Sequence, residues 1–121
     1  METVKAFKYG WFGDGGLGER LIQLILDGRK TCSSCPAYDP VDSDLEAGDK
    51  LDLVDKHGKK RARLVVTLVE HRPLSSFDQA LAEKQGTPLD ELITALRFAN
   101  GRELRPDEEM RVTHFVLVSR A

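Results

Sequence analysis

The sequence predicts a small α+β domain: a mixed β-barrel or strongly curved sheet with three helices packed around it. Three observations predict it. The candidate elements run helix, several strands, two helices and a last strand, an order that regular βαβ alternation does not produce. Several segments alternate polar and apolar residues as half-buried strands do. At 121 residues the chain can bury one hydrophobic core but not two, so it is read as a single domain, 1–121.

The first helix is expected over Leu17–Asp27, where Leu17, Leu21, Leu24 and Ile25 recur at i, i+4, i+7 and i+8 and Gly28 supplies the stop. From Thr31 the chain turns extended, then enters a polar loop with Pro36, Pro40 and several aspartates. Gly48-Asp49 marks a turn into Lys50–Val54, which alternates as a strand, and Gly58 is expected at the hairpin turn that follows. The run from Arg61 to Glu70 is the central strand, long enough to twist or bulge, and Pro73 ends it. Ser75 or Ser76 caps a short helix that reaches Gln85 and stops at Gly86. Thr87 at the N-cap and Pro88 at the first helical position open the next helix, with Leu89, Leu92, Ile93 and Leu96 as its buried stripe and Asn100-Gly101 as its end. The final strand is Met110–Ser119. No internal repeat or low-complexity linker divides the chain.

Hydrophobic residues make up 40% and charged residues 31%, as in ordinary soluble proteins. No apolar run approaches the roughly 20 residues that cross a bilayer, and Met1–Gly10 lacks the apolar core of a secretory signal. With two cysteines, a reducing cytoplasm is the expected location, with no membrane partner. A net charge of −2 argues against gripping nucleic acid through a global positive field. A local patch remains: Lys56, Lys59, Lys60, Arg61 and Arg63 crowd around Gly58 together with His57, as a candidate nucleic-acid surface or as a solvated hairpin tip. Acidic residues gather at Asp39 to Asp55 and at Asp107 to Glu109.

Four features carry less than their letters suggest. Gly13-Asp14-Gly15-Gly16-Leu17-Gly18 matches a dinucleotide fingerprint, but no βαβ context surrounds it and Asp14 would set a negative charge near a pyrophosphate. It is read as a flexible loop entering a helix. Cys32-Ser33-Ser34-Cys35 lacks the second ligand pair that zinc needs and follows a helix rather than opening one, so no metal or other cofactor is expected. His71 and His114 have no acidic partner at fixed spacing and are read as packed or surface residues. Trp11, with Tyr9 and Phe12, either stacks on a base or plugs the end of the core, and burial is the favoured reading.

Gly28-Arg29-Lys30-Thr31-Cys32-Ser33-Ser34 is the segment with chemistry in it. It sets an ammonium beside several hydroxyls where a helix hands over to an extended strand. A lysine desolvated in a cleft acts as a base, or stays charged and holds a carbonyl or phosphate. Ser33 or Thr31 would be the hydroxyl it activates. Arg29, Thr31 and Ser34 are the further candidate ligand contacts, with Trp11.

Leu24-Ile25-Leu26-Asp27-Gly28-Arg29-Lys30-Thr31-Cys32-Ser33 resembles the signature of ASCH domains, an apolar helix end followed by G-x-K-T-x-T/S. Phe12-Gly13-Asp14, Ala47-Gly48-Asp49-Lys50-Leu51, the helical stretches Phe77–Gly86 and Leu89–Leu96, and the strand Val112–Val118 resemble the family in the same order. The resemblance implies a PUA-like barrel with a cleft beside the Gly28–Ser34 segment, and binding of RNA or a nucleotide or nucleoside. It also implies an alternative, hydrolysis of an N-acylated pyrimidine nucleoside such as 4-acetylcytidine by a lysine, a threonine and a glutamate. Lys30 falls on the lysine and Ser33 on the threonine. The glutamate falls on Gln85, which hydrogen-bonds but takes no proton; Glu83 could replace it only through a rotation or shift of its helix. Cys35 stands where the family often has an arginine.

Overall fold

A computed structural model describes residues 4–37, 45–100 and 105–120. Along the chain run β1 (Val4–Lys8), α1 (Leu17–Leu26), β2 (Cys32–Pro36), β3 (Lys50–Val54), β4 (Lys60–Pro73), a 3-10 turn (Leu74–Ser76), α2 (Gln79–Lys84), α3 (Leu89–Asn100) and β5 (Glu109–Arg120). The strands form one mixed sheet in the order β1-β3-β4-β5-β2. β1 runs parallel to β3, and the other neighbours are antiparallel. Register shifts at Arg63/Leu64 and Val66/Leu68 bulge the long β4–β5 ribbon, and bulges add twist. The result is the strongly curved sheet expected from the sequence.

Curvature creates an inside and an outside, and strand alternation supplies a core to each. Inside, Phe7, Leu51, Leu53, Leu64, Val66 and Phe115 enclose Ile22 and Ile25 of α1. Outside, Cys32, Met110 and Val112 meet Leu81 and Ala82 of α2 and Leu92 and Leu96 of α3. The bend also brings the two terminal strands of the ladder together. Tyr9, the residue after β1, donates its phenol proton to Ser33 Oγ in β2 at 2.6 Å.

Several local expectations need correction. β1 was not anticipated: only Phe7 of its residues is buried, and its partner in a parallel pair lies far along the chain. α1 buries Gly18, Ile22 and Ile25 rather than the full leucine stripe, because Gly18 packs against Gly10 and turns that face inward. Asp78, not Ser75 or Ser76, caps α2, accepting from the Leu81 N–H at 2.9 Å. Pro88 supplies the carbonyl that accepts the first α3 bond from Leu92, while the Thr87 hydroxyl turns back to the Gln85 carbonyl. Pro36 closes β2 instead of lying in a loop; Asp39, Pro40 and Gly101 fall outside the described residues.

The glycine-rich loop is a knot tied by Asp14. Its carboxylate accepts from the N–H groups of Gly16 and Gly18, each at 3.0 Å, and from Trp11 at 3.3 Å. The chain's own carboxylate therefore occupies the N-terminal end of α1, where an incoming phosphate would sit. These bonds, led by the one from Gly16, hold the Asp14 pKa below the ordinary carboxylate range.

Two outcomes follow from the knot. A Cβ at Gly18 would lie 2.7 Å from the Gly10 nitrogen, so Gly18→Ala should destabilise by about 3 kcal/mol in urea denaturation. Because its folded pKa is depressed, Asp14 contributes stability above its unfolded pKa that is lost as pH falls through the folded value. Asp14→Asn should lower the urea midpoint at pH 7 and approach wild type in acid; a constant gap across pH would contradict the assignment.

Candidate functional site at the sheet seam

Gly28 begins the site. Its φ of +76° reverses the chain after α1, and the Arg29 and Lys30 N–H groups both donate to the Leu24 carbonyl, at 2.9 and 3.1 Å. Thr31 is then stitched on two sides: its N–H donates to the Lys84 carbonyl at 2.7 Å, and its carbonyl accepts from Phe115 at 3.0 Å. This turn carries Lys30 inward, to 5% exposure. Thr31 and Arg29 stay exposed.

Lys30 is the unusual group. Burial drives its pKa down to about 8, and the neighbouring Cys32 opposes the shift. The ammonium lies 5.9 Å from the centre of the Tyr9 ring. No described residue accepts a hydrogen bond from it, and its nitrogen is not one of the enclosed side-chain atoms left without a partner, so the stem is buried while the ammonium tip reaches the surface of the seam. Cys32 beside it is fully buried, and burial pushes its thiol up to about 11, with Lys30 and Lys84 pulling the other way and Glu70 adding to the rise.

The two serines part company. Neighbours on a strand face opposite sides. Ser33 meets Tyr9 across the seam, whereas Ser34 accepts from the Gln85 side-chain amide at 2.7 Å. Gln85, at 1% exposure, is the C-cap of α2 and is locked to Ser34 rather than to Ser33. Glu83 is exposed and shares with Arg29 a separate open cavity of about 470 Å³, also lined by Gln79, Gly86, Thr87 and Pro88. The sequence candidates thus divide into an inner group, the buried Lys30 and the half-buried Ser33, and an outer one, Arg29 and Glu83.

Other candidates sit differently from expectation. Trp11 and Phe12 do not plug the core: they are 38% and 76% exposed, and Tyr9 alone of the three packs against it. The histidines do find carboxylates across the β4–β5 ribbon, His114 against Glu70 at 3.2 Å and His71 against Glu109 at 3.3 Å. Cys32 and Cys35 are free thiols three residues apart on an extended strand, about 10 Å between Cα atoms at ordinary rise, beyond disulfide reach. No cluster of three or more His, Cys, Asp or Glu among the described residues is placed to hold a metal. No described helix is long and apolar enough to cross a membrane.

The basic patch is largely answered by carboxylates. Arg61 forks onto Glu19 at 2.5 and 2.9 Å and approaches Asp55 at 3.4 Å. Arg63 and Lys60 share Asp52, at 2.9 and 3.3 Å, and Lys56 lies 3.7 Å from Asp14. Lys59 makes no ion pair among the described residues. Exposed pairs add little stability, but they cancel charge locally.

Two features of the site escaped sequence reasoning. Tyr9 reads as one more aromatic of the Tyr9–Phe12 stretch, and only closure of the sheet reveals its bond to Ser33. Glu70 reads as the tail of a strand until its pairing with His114 appears. The alternation around Ser33 and Ser34 could have signalled that the two hydroxyls serve different faces.

The whole arrangement has counterparts among solved structures. A protein of Enterococcus faecalis V583 described under family DUF984 superposes with a TM-score of 0.77 at 22% identity, covering 99% of this chain and 79% of that one. An ASCH domain from Lactobacillus crispatus JV V101 gives 0.78 at 21% identity, covering 97% and 80%. A mutant ASCH protein from Zymomonas mobilis gives 0.55 at 9% identity, covering 98% and 73%. No family model matches the sequence, and no curated protein matches it. At these identities the likeness establishes the fold, and the fold is that of the ASCH domains.

Lys30 carries a stability signature with a definite sign. Its folded pKa of about 8 lies below the ordinary 10.5, so the folded state holds fewer protons between those values and stability rises with pH across that window. Lys30→Met should be more stable than wild type near pH 7, by up to roughly 3 kcal/mol at about 1.4 kcal/mol per pKa unit. The advantage should vanish towards pH 10.5. A less stable variant at pH 7, by urea titration, would remove the case for an uncompensated charge.

Proposed function

We propose that this chain is an ASCH-family protein, one domain over residues 1–121, that binds a nucleotide or nucleoside at the Lys30–Ser33 seam. The observation that carries this reading is Lys30, buried along its stem at the seam with an ammonium from which no described residue accepts a hydrogen bond. Folded proteins seldom keep such a group unless a ligand completes it. A carbonyl, ring nitrogen or phosphate oxygen supplies the acceptor, and Ser33, bonded to the tyrosine that Lys30 faces, adds a hydroxyl. Neutralisation of the Gly58 patch favours a small ligand, or a base presented from a short RNA segment, over a long duplex.

A second reading is hydrolysis of an N-acylated pyrimidine nucleoside, favoured by the lowered Lys30 pKa, which places a neutral amine within reach at mildly alkaline pH. Ser33 Oγ would attack the acyl carbonyl while Lys30 takes the hydroxyl proton. The same proton then leaves on the nucleoside amine, and water hydrolyses the acyl-serine. Gln85 cannot act as the carboxylate of such a mechanism, and Glu83 lines the outer cavity.

Calorimetric titration with cytidine, cytidine monophosphate and a short single-stranded RNA tests binding. Lys30→Ala should weaken it tenfold or more, about 1.4 kcal/mol. Failure of the wild-type protein to bind any of the three defeats the reading. Incubation with 4-acetylcytidine separates binder from hydrolase: cytidine release lost in both Lys30→Ala and Ser33→Ala, and rising towards pH 8, would establish hydrolysis.

A further inference from the structure

We propose that Tyr9 is the positioning residue of this site, aiming the Ser33 hydroxyl with its phenol and supporting Lys30 with its ring. The inference rests on the reading of Lys30 and Ser33 as the ligand-contacting pair. Tyr9 is the described side chain that touches both. Its phenol donates to Ser33 Oγ at 2.6 Å, and the Lys30 nitrogen sits 5.9 Å from its ring centre.

Its own place is set by the sheet rather than by a ligand. The Tyr9 N–H donates to the Val54 carbonyl at 3.0 Å, extending the β1–β3 ladder by one residue. Its ring stands edge-to-face on Phe7, with centroids 5.3 Å apart and planes at 88°. A group held this way makes a fixed reference for more mobile ones.

The consequence for Ser33 is directional. A hydroxyl has one proton and two lone pairs, so accepting from Tyr9 leaves the Ser33 proton to point elsewhere. Ser33 is therefore offered as a donor, or as a nucleophile whose proton is already aimed away from Tyr9. Ser34 accepts in the same way, from the Gln85 amide, but on the other face of the sheet, away from Tyr9. For Lys30 the ring face favours the charged form and partly offsets desolvation. One tyrosine thus orients the hydroxyl of the serine that faces it and steadies the cation nearby.

The test compares Tyr9→Phe, which keeps the ring, with Tyr9→Leu, which loses ring and phenol, after thermal melts establish that both are folded. The Lys30 titration midpoint is followed by carbon–proton NMR of its ε-methylene, assigned with Lys30→Met; this readout needs no ligand. Ser33 reactivity is followed by mass spectrometry with p-nitrophenyl acetate, which transfers acetyl to Oγ as p-nitrophenolate departs and the hydroxyl proton is released. Ser33→Ala is the blank. In Tyr9→Phe, acetylation should slow about tenfold, the scale of one lost hydrogen bond, with the Lys30 midpoint unchanged. In Tyr9→Leu the midpoint should also fall by about half a unit. Wild-type acetylation rates in Tyr9→Phe, or a wild-type Lys30 midpoint in Tyr9→Leu, overturn the role of Tyr9 alone. A wild-type Ser33 that takes no acetyl group overturns the Ser33 reading beneath it and this inference with it.

Discussion

Closure of the sheet is the constraint on which the rest depends. β1 and β2 stand at opposite ends of a five-stranded ladder, and a flat sheet would keep them roughly 19 Å apart at ordinary strand spacing. Bulges in β4–β5 and the packing of Phe7 on Phe115 bend the ladder until the Tyr9–Ser33 hydrogen bond spans the gap. α1 fills the space so enclosed, and its C-terminal turn delivers Lys30 to the seam. Fold and site are consequences of one curvature.

Charge is distributed in a way that separates structural from functional use. Outside, the cations around Gly58 are mostly answered by carboxylates, and Asp14 fills the helix terminus that might otherwise hold an anion. At the seam, Lys30 is left with an aromatic face and a thiol for company. Well-packed proteins have little reason to keep that arrangement for stability, since an apolar side chain would fill the place at lower cost.

Much of this was legible in the sequence wherever the determinants are local. Periodicity placed α1 and α3, Gly28 and Gly58 placed their turns, and alternation placed β3, β4 and β5. The Gly28–Ser34 segment is legible as a lysine beside several hydroxyls where α1 hands over to β2. What could not be read were features that depend on chain segments meeting at long range. β1 pairs in parallel with a strand more than forty residues away, without any hairpin to announce it. Trp11 and Phe12 look like core residues by type, but the Asp14 knot fixes the loop so that they face outward. Gln85 looks like the substitute for a catalytic carboxylate, yet where α2 ends directs it to Ser34.

The segment Cys32-Ser33-Ser34-Cys35 reads the same in both directions. A one-residue slip of β2 along β5 would turn every side chain over, and in one direction it would set Ser34 where Ser33 now stands, with Cys35 in the place of Ser34. Residue type therefore does not decide which hydroxyl faces Tyr9. The decision belongs to the two backbone bonds at Thr31 and the amide of Gln85, which hold β2 in frame. Which serine faces Tyr9 is a property of strand alignment, so a one-residue insertion between Gly28 and Cys32 would change the seam while every one of its residues stays in the chain.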